Sequence, residues 1–151
     1  INNKAYLWYV KTLFSKVKPF FRDDLKTIFA MYVSFHKPFP IHHDIKPLPN
    51  QAQGQNYISC LIPVSVDNNS SLCGEASTAI FNESENPDPY IDQQTYFQHC
   101  SVEDLSKFTV NKRHIWNRGD IIWWDSSLYH SSSDFTQHHT SKEAFVIHTY
   151  V

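Results

Sequence analysis

Residues 119–130 read Gly119-Asp120-Ile121-Ile122-Trp123-Trp124-Asp125-Ser126-Ser127-Leu128-Tyr129-His130. Gly-Asp is a turn signal, and the apolar run from Ile121 to Trp124 has the length of a buried strand rather than a helix. Trp123 and Trp124 are neighbours, so an extended chain points them to opposite sides and one belongs to the core. His130 then falls just past the strand's end. A turn, a buried strand and a trailing histidine set the terms for the rest of the chain.

Working outward, Ala144 to Val151 reads as a last strand, with Phe145, Ile147 and Thr149 alternating against Val146, His148 and Tyr150. Upstream, Ile28 to Phe35, Tyr57 to Val66 and Ala76 to Phe81 carry strand patterns, the second rich in β-branched residues. Polar loops, Asp67 to Gly74 and Asn82 to Pro89, separate them. Helical signals come early and briefly. Asn3 to Lys18 mixes apolar and basic positions and is closed by Pro19. Asp23 and Asp24 could cap a helical turn near Leu25. Ser101 with Asp104 resembles a capping box for a turn over Val102 to Phe108. Prolines at 38, 40, 47 and 49 forbid a regular central strand or helix between the first two strands. The expectation is an α+β domain, mostly β: a jelly roll or barrel with N-terminal helices packed on it. A parallel α/β sheet would need helices between the later strands, and the second half lacks them.

The 151 residues make one domain, 1–151, large enough for a real core, and the 41% hydrophobic content rules out disorder. The chain opens on Ile1 rather than Met, as a fragment lacking its N-terminus would. A formal charge of −2 offers no basic face to nucleic acid. Three cysteines, Cys60, Cys73 and Cys100, are an odd number without CxxC spacing. That argues against a disulfide framework or a thiolate zinc site and for a reducing, cytoplasmic setting. The longest apolar run, Ala5 to Val10, stops at Lys11 and is too short for a membrane span. Asn-x-Ser triplets at Asn68, Asn69 and Asn82 are what Asn/Ser-rich loops produce by chance. A serine hydrolase would need a G-x-S-x-G elbow, which is absent.

Nine histidines direct attention to metal binding. His42-His43-Asp44 is the one His-x-Asp triplet in the chain. Taken alone, it is an ordinary polar loop between Pro40 and Pro47. In an extended segment, however, positions i and i+2 face the same way, so His42 and Asp44 can address one ion while His43 points elsewhere. A rolled sheet would bring His130 to the pair. Two histidines and a carboxylate on one face of an octahedron leave three positions open, the arrangement of non-haem Fe(II) oxygenases. A structural zinc site would be closed by a fourth protein ligand, for which His148 and His36 are the candidates. His138-His139 lies in a polar stretch and reads as solvated.

These segments resemble the 2-oxoglutarate/Fe(II)-dependent dioxygenase superfamily, in particular its prolyl-hydroxylase-like branch. The resemblance rests on His42-x-Asp44, on Cys73-Gly74-Glu75 as a strand entry, and on Gly119-Asp120 leading through an apolar strand to His130; it covers roughly Tyr32 to Val151. It implies a double-stranded β-helix (jelly roll) that holds Fe(II) on His42, Asp44 and His130. It also implies 2-oxoglutarate as co-substrate, dioxygen as oxidant, and hydroxylation of a C–H bond in a peptide or small-molecule substrate. Such enzymes need a cation for the distal carboxylate of 2-oxoglutarate, and the residue that matches is Lys142, twelve positions after His130. The family spacing is about two positions shorter, and the excess falls in the Thr/Gln/His-rich stretch Thr136 to Thr140. Phenols set against 2-oxoglutarate would be Tyr32 and Tyr57. A non-catalytic metal- or sugar-binding β-roll module is the alternative. A cupin-like enzyme would need His-x-His and a downstream Glu, which this chain lacks.

Overall fold

Gly119 adopts φ 87°, the left-handed region that a side chain disfavours, and its N–H bonds the Pro63 carbonyl at 3.2 Å. The turn thus delivers the chain to a strand beside Pro63, as the Gly-Asp signal predicts. The computed structural model describes residues 3–17, 19, 26–44, 56–66, 76–84, 96–136 and 141–150. Among these, the strands are β1 (Lys26–Phe35), β2 (Tyr57–Val66), β3 (Ser77–Glu83), β4 (Phe108–Ile115), β5 (Ile122–Asp125), β6 (Tyr129–Ser132) and β7 (Lys142–Tyr150). Helical segments are α1 (Asn3–Trp8), a π-helical turn (Tyr9–Leu13), α2 (Phe14–Val17) and α3 (Val102–Leu105).

All pairings are antiparallel, in a four-stranded sheet of order β1-β7-β2-β5 and a three-stranded sheet of order β4-β3-β6. The molecule is mostly β, and its sheets share a core. Leu61, Ile122, Trp124 and Ala144 from the first sheet meet Ile80 of the second, with Trp116 and Phe135 between them. Alternate residues supply the outer layers. Ala30, Cys60, Ile62 and Ile147 pack with Leu13 and Phe145, and Trp8 of α1 stacks on Phe145 at 4.9 Å. The early helices therefore lie on the outer face of the four-stranded sheet. Ala79, Phe81, Phe97 and Phe108 form a third cluster behind β3.

Four sequence expectations need adjustment. The helical turn after Ser101 ends at Leu105, and Phe108 already belongs to β4. Its cap is as expected, with Ser101 Oγ accepting from the Asp104 N–H at 3.0 Å. His130 lies past β5 but inside a further strand, β6. Strands β4 and β6 were not anticipated. β4 is an edge strand whose Asn111 and Lys112 are exposed, and such polar edge residues hide the alternation. β6 has only Tyr-His-Ser-Ser, with no apolar period to read. Near Leu25 no helix follows, because the chain is strand from Lys26. Asp23, Asp24, Leu25, Cys73-Gly74-Glu75 and residues 137–140 lie outside the described residues. Among the described residues, no helix is long and apolar enough to cross a membrane, and Cys60 and Cys100 are buried free thiols.

Candidate metal centre

The proline-rich segment after β1 has no ladder of its own, and side chains hold it in place. The Phe39 N–H donates to Ser132 Oγ at 2.8 Å, while the Phe39 carbonyl accepts from Ser131 Oγ at 2.7 Å and from His99 Nε2 at 2.9 Å. Three residues on, His42 forms a two-bond bridge with His130: His42 N–H to His130 O is 3.0 Å, and the reverse bond 2.8 Å. The Asp44 N–H then bonds the Ser126 carbonyl at 3.1 Å. The His-x-Asp triplet is thereby laid along β6 and the turn before it.

His42, Asp44 and His130 each present one ligand atom within 4.8 Å of the others, so the three could hold a metal ion. His42 Nε2 is 3.8 Å from Asp44 Oδ1, and His130 Nε2 is 3.5 Å from Asp44 Oδ2. With bonds of about 2 Å to one ion, neighbouring donors sit roughly 3–4 Å apart, so little movement is needed. The tautomers follow from the partners. His42 Nδ1 is 2.7 Å from the Pro40 carbonyl and His130 Nδ1 is 3.1 Å from the Leu128 carbonyl. A carbonyl only accepts, so both Nδ1 atoms carry a proton, and both Nε2 atoms are turned toward Asp44. Burial pushes His130 down to about 4, with Asp44 opposing and His42 reinforcing, which keeps its imidazole neutral at neutral pH. The Nε2 atoms of both rings and the Asp44 carboxylate oxygens lie close around one point.

Lys142 is the second unusual group. It is 2% exposed, and its Nζ lies 4.0 Å from the Trp116 ring and 4.8 Å from the Phe135 ring. The antiparallel register sets Phe35 directly opposite it. Among the described residues Nζ has no hydrogen-bond partner, and burial pushes the ammonium down to about 7. Cation–π contact offsets part of the desolvation but supplies no acceptor. Lys142 and these three candidate ligands line one cavity of about 180 Å³, whose other walls include Leu61, Thr78, Trp116 and Val146.

The tyrosines do not join this group. Met31, Val33 and Phe35 are the β1 residues that line the cavity. Tyr32 therefore points to the opposite face, edge-on to Phe145 at 5.4 Å and 38% exposed. The expected parity with His42 fails because the chain leaves regular strand geometry after Phe35. Tyr57 shares a face of β2 with Ser59 and Leu61, but it packs on Tyr150, at the opposite end of β7 from Lys142. Of the two candidates for a fourth ligand, His36 is exposed and near Ser34, while His148 lines the cavity and contacts Ser59 Oγ at 3.2 Å. Ser59, Trp116 and Phe135 escape sequence reasoning. For Ser59, the alternation through Leu61 was the available signal.

No family model matches the chain, and a search of curated proteins found no similar one.

Proposed function

We propose that this protein is a 2-oxoglutarate-dependent non-haem Fe(II) oxygenase that hydroxylates a C–H bond of a peptide or small molecule. The observation that carries the reading is the pairing, in one cavity, of a convergent two-His, one-carboxylate site with a buried lysine that has no acceptor among the described residues. A dicarboxylate chelating a metal at one end and meeting Lys142 at the other satisfies both. A jelly roll suits the strand orders, with the His42 segment bridged to β6 extending the three-stranded sheet. A reducing compartment such as the cytoplasm suits a ferrous site and the free thiols of Cys60 and Cys100.

His42, Asp44 and His130 would hold Fe(II) on three protein atoms, leaving positions open for 2-oxoglutarate and dioxygen. When bound, iron and 2-oxoglutarate supply the oxidative decarboxylation that activates dioxygen for attack on a C–H bond. The chain's own residues do the positioning. Lys142 anchors the distal carboxylate as a point charge, and the Trp116 and Phe135 rings keep water from competing for it. Leu61 and Val146 line the cavity with apolar surface that suits methylene groups.

Anaerobic addition of Fe(II) and 2-oxoglutarate should produce a weak visible charge-transfer band. His130→Ala should abolish it, and Lys142→Ala should weaken 2-oxoglutarate binding at least tenfold while sparing the metal. Metal uptake without any band in the intact protein would instead indicate a binding module.

A further inference from the structure

Ser59 sits in β2, a central strand between β7 and β5, and is 1% exposed. Its Oγ makes three contacts: Asp44 Oδ2 at 2.5 Å, Ser126 Oγ at 2.8 Å and His148 Nδ1 at 3.2 Å. A hydroxyl has one proton and two lone pairs, and a carboxylate can only accept. Ser59 must therefore give its proton to Asp44, and Ser126 O–H and His148 Nδ1–H must both donate to Ser59. All three valences of one buried oxygen are assigned, so the hydroxyl has no rotational freedom left.

Resting on the metal reading above, we propose that Ser59 is the positioning residue that makes Asp44 a one-oxygen ligand and holds His148 as its Nδ1–H tautomer. Oδ2, which lies 3.5 Å from His130 Nε2, accepts a charge-assisted bond of the short, strong kind from Ser59, and that bond opposes the rotation that would bring Oδ2 onto the ion beside Oδ1. A carboxylate free to rotate could grip with both oxygens and take a coordination position from an incoming ligand. The restraint comes from the opposite layer, since Ser59 belongs to the four-stranded sheet while His130 belongs to the three-stranded one. Ser126 supports from behind: its hydroxyl contacts Ser59, and its carbonyl takes the Asp44 N–H. Partners of this kind, behind a metal ligand, commonly contribute 10–100-fold to affinity.

The test is an anaerobic titration of the intact chain with Co(II), whose visible d–d bands report coordination, across wild type, Ser59→Ala and Ser126→Ala. The proposal expects Ser59→Ala to bind Co(II) roughly 10–100-fold more weakly, with altered band positions and intensities. Ser126→Ala, which leaves the bond to Asp44, should keep the wild-type spectrum and lose less than half of the Ser59→Ala effect on a logarithmic scale. Urea midpoints of the metal-free variants identify any loss that comes from unfolding, and the spectrum of bound Co(II) is a readout that simple destabilisation does not change. Wild-type affinity and an unchanged spectrum in Ser59→Ala would overturn the proposal alone. No Co(II) uptake by the wild type would overturn the metal reading itself.

Discussion

Lys142 is buried with no hydrogen-bond acceptor among the described residues, and its charge is costly to the fold. Burial takes its ammonium down to about 7, against about 10.5 in an unfolded chain. Between those values the unfolded chain holds a proton that the folded chain does not. Folding stability therefore rises with pH across that window, and the penalty is fully in force below about 7. The stability difference between wild type and Lys142→Met, followed by urea unfolding without ligand, should carry this dependence. We expect Lys142→Met to be more stable by on the order of a few kcal/mol near pH 7, converging with wild type towards pH 10. Its 2-oxoglutarate affinity should fall at the same time. A pH-independent difference would show that the ammonium is not desolvated. Residue type and spacing were the signal here: His42, Asp44, His130 and Lys142 were brought together in one cavity by the fold. Tyr32 and Tyr57 were not, because a phenol's role depends on the face it occupies, and Pro38 and Pro40 break the parity that would have assigned one.

The turn into β5 tests what an element owes to one backbone angle. Gly119 stands at φ +87° with nothing within 4 Å of where a Cβ would be. Gly119→Ala should therefore cost only conformational strain, about 1–2 kcal/mol, measured as a shift in urea midpoint with metal affinity unchanged. A larger loss, or a lost metal site, would mean that the turn aims β5 and β6 more sharply than its hydrogen bond to Pro63 suggests. At this scale the apolar strands β1, β2, β5 and β7 were legible from alternation or from short apolar runs. β4 and β6 were not. β4 is an edge strand with exposed polar residues and β6 is only Tyr-His-Ser-Ser, so neither offers an apolar period to read.

Across the whole molecule, the proposed metal would join pieces that the chain keeps far apart. Two ligands come from the segment after β1, one from β6, and the Ser59 restraint from the other sheet. Any ion that binds only this assembled state stabilises it by mass action, about 2.7 kcal/mol at a hundred times its Kd. For a domain of this size that corresponds to roughly 5–11 °C in Tm. A divalent-metal scan by calorimetry should show such a rise in wild type and none in His130→Ala. A rise retained in His130→Ala would relocate the ion to another site.

The amino-acid order by itself determined the mostly-β class, the turn at Gly119 and the identities of three metal-ligand candidates and a cation. Each depends on local chemistry: periodicity, backbone freedom, or the donor atoms a side chain carries. Tertiary structure alone decided that the His42 segment is bridged to His130, that Ser59 Oγ meets the Asp44 carboxylate, and that an aromatic cage closes on Lys142. Those are contacts between residues up to about a hundred positions apart in the chain. Their partners are chosen by strand register and sheet packing, which no short window of sequence contains.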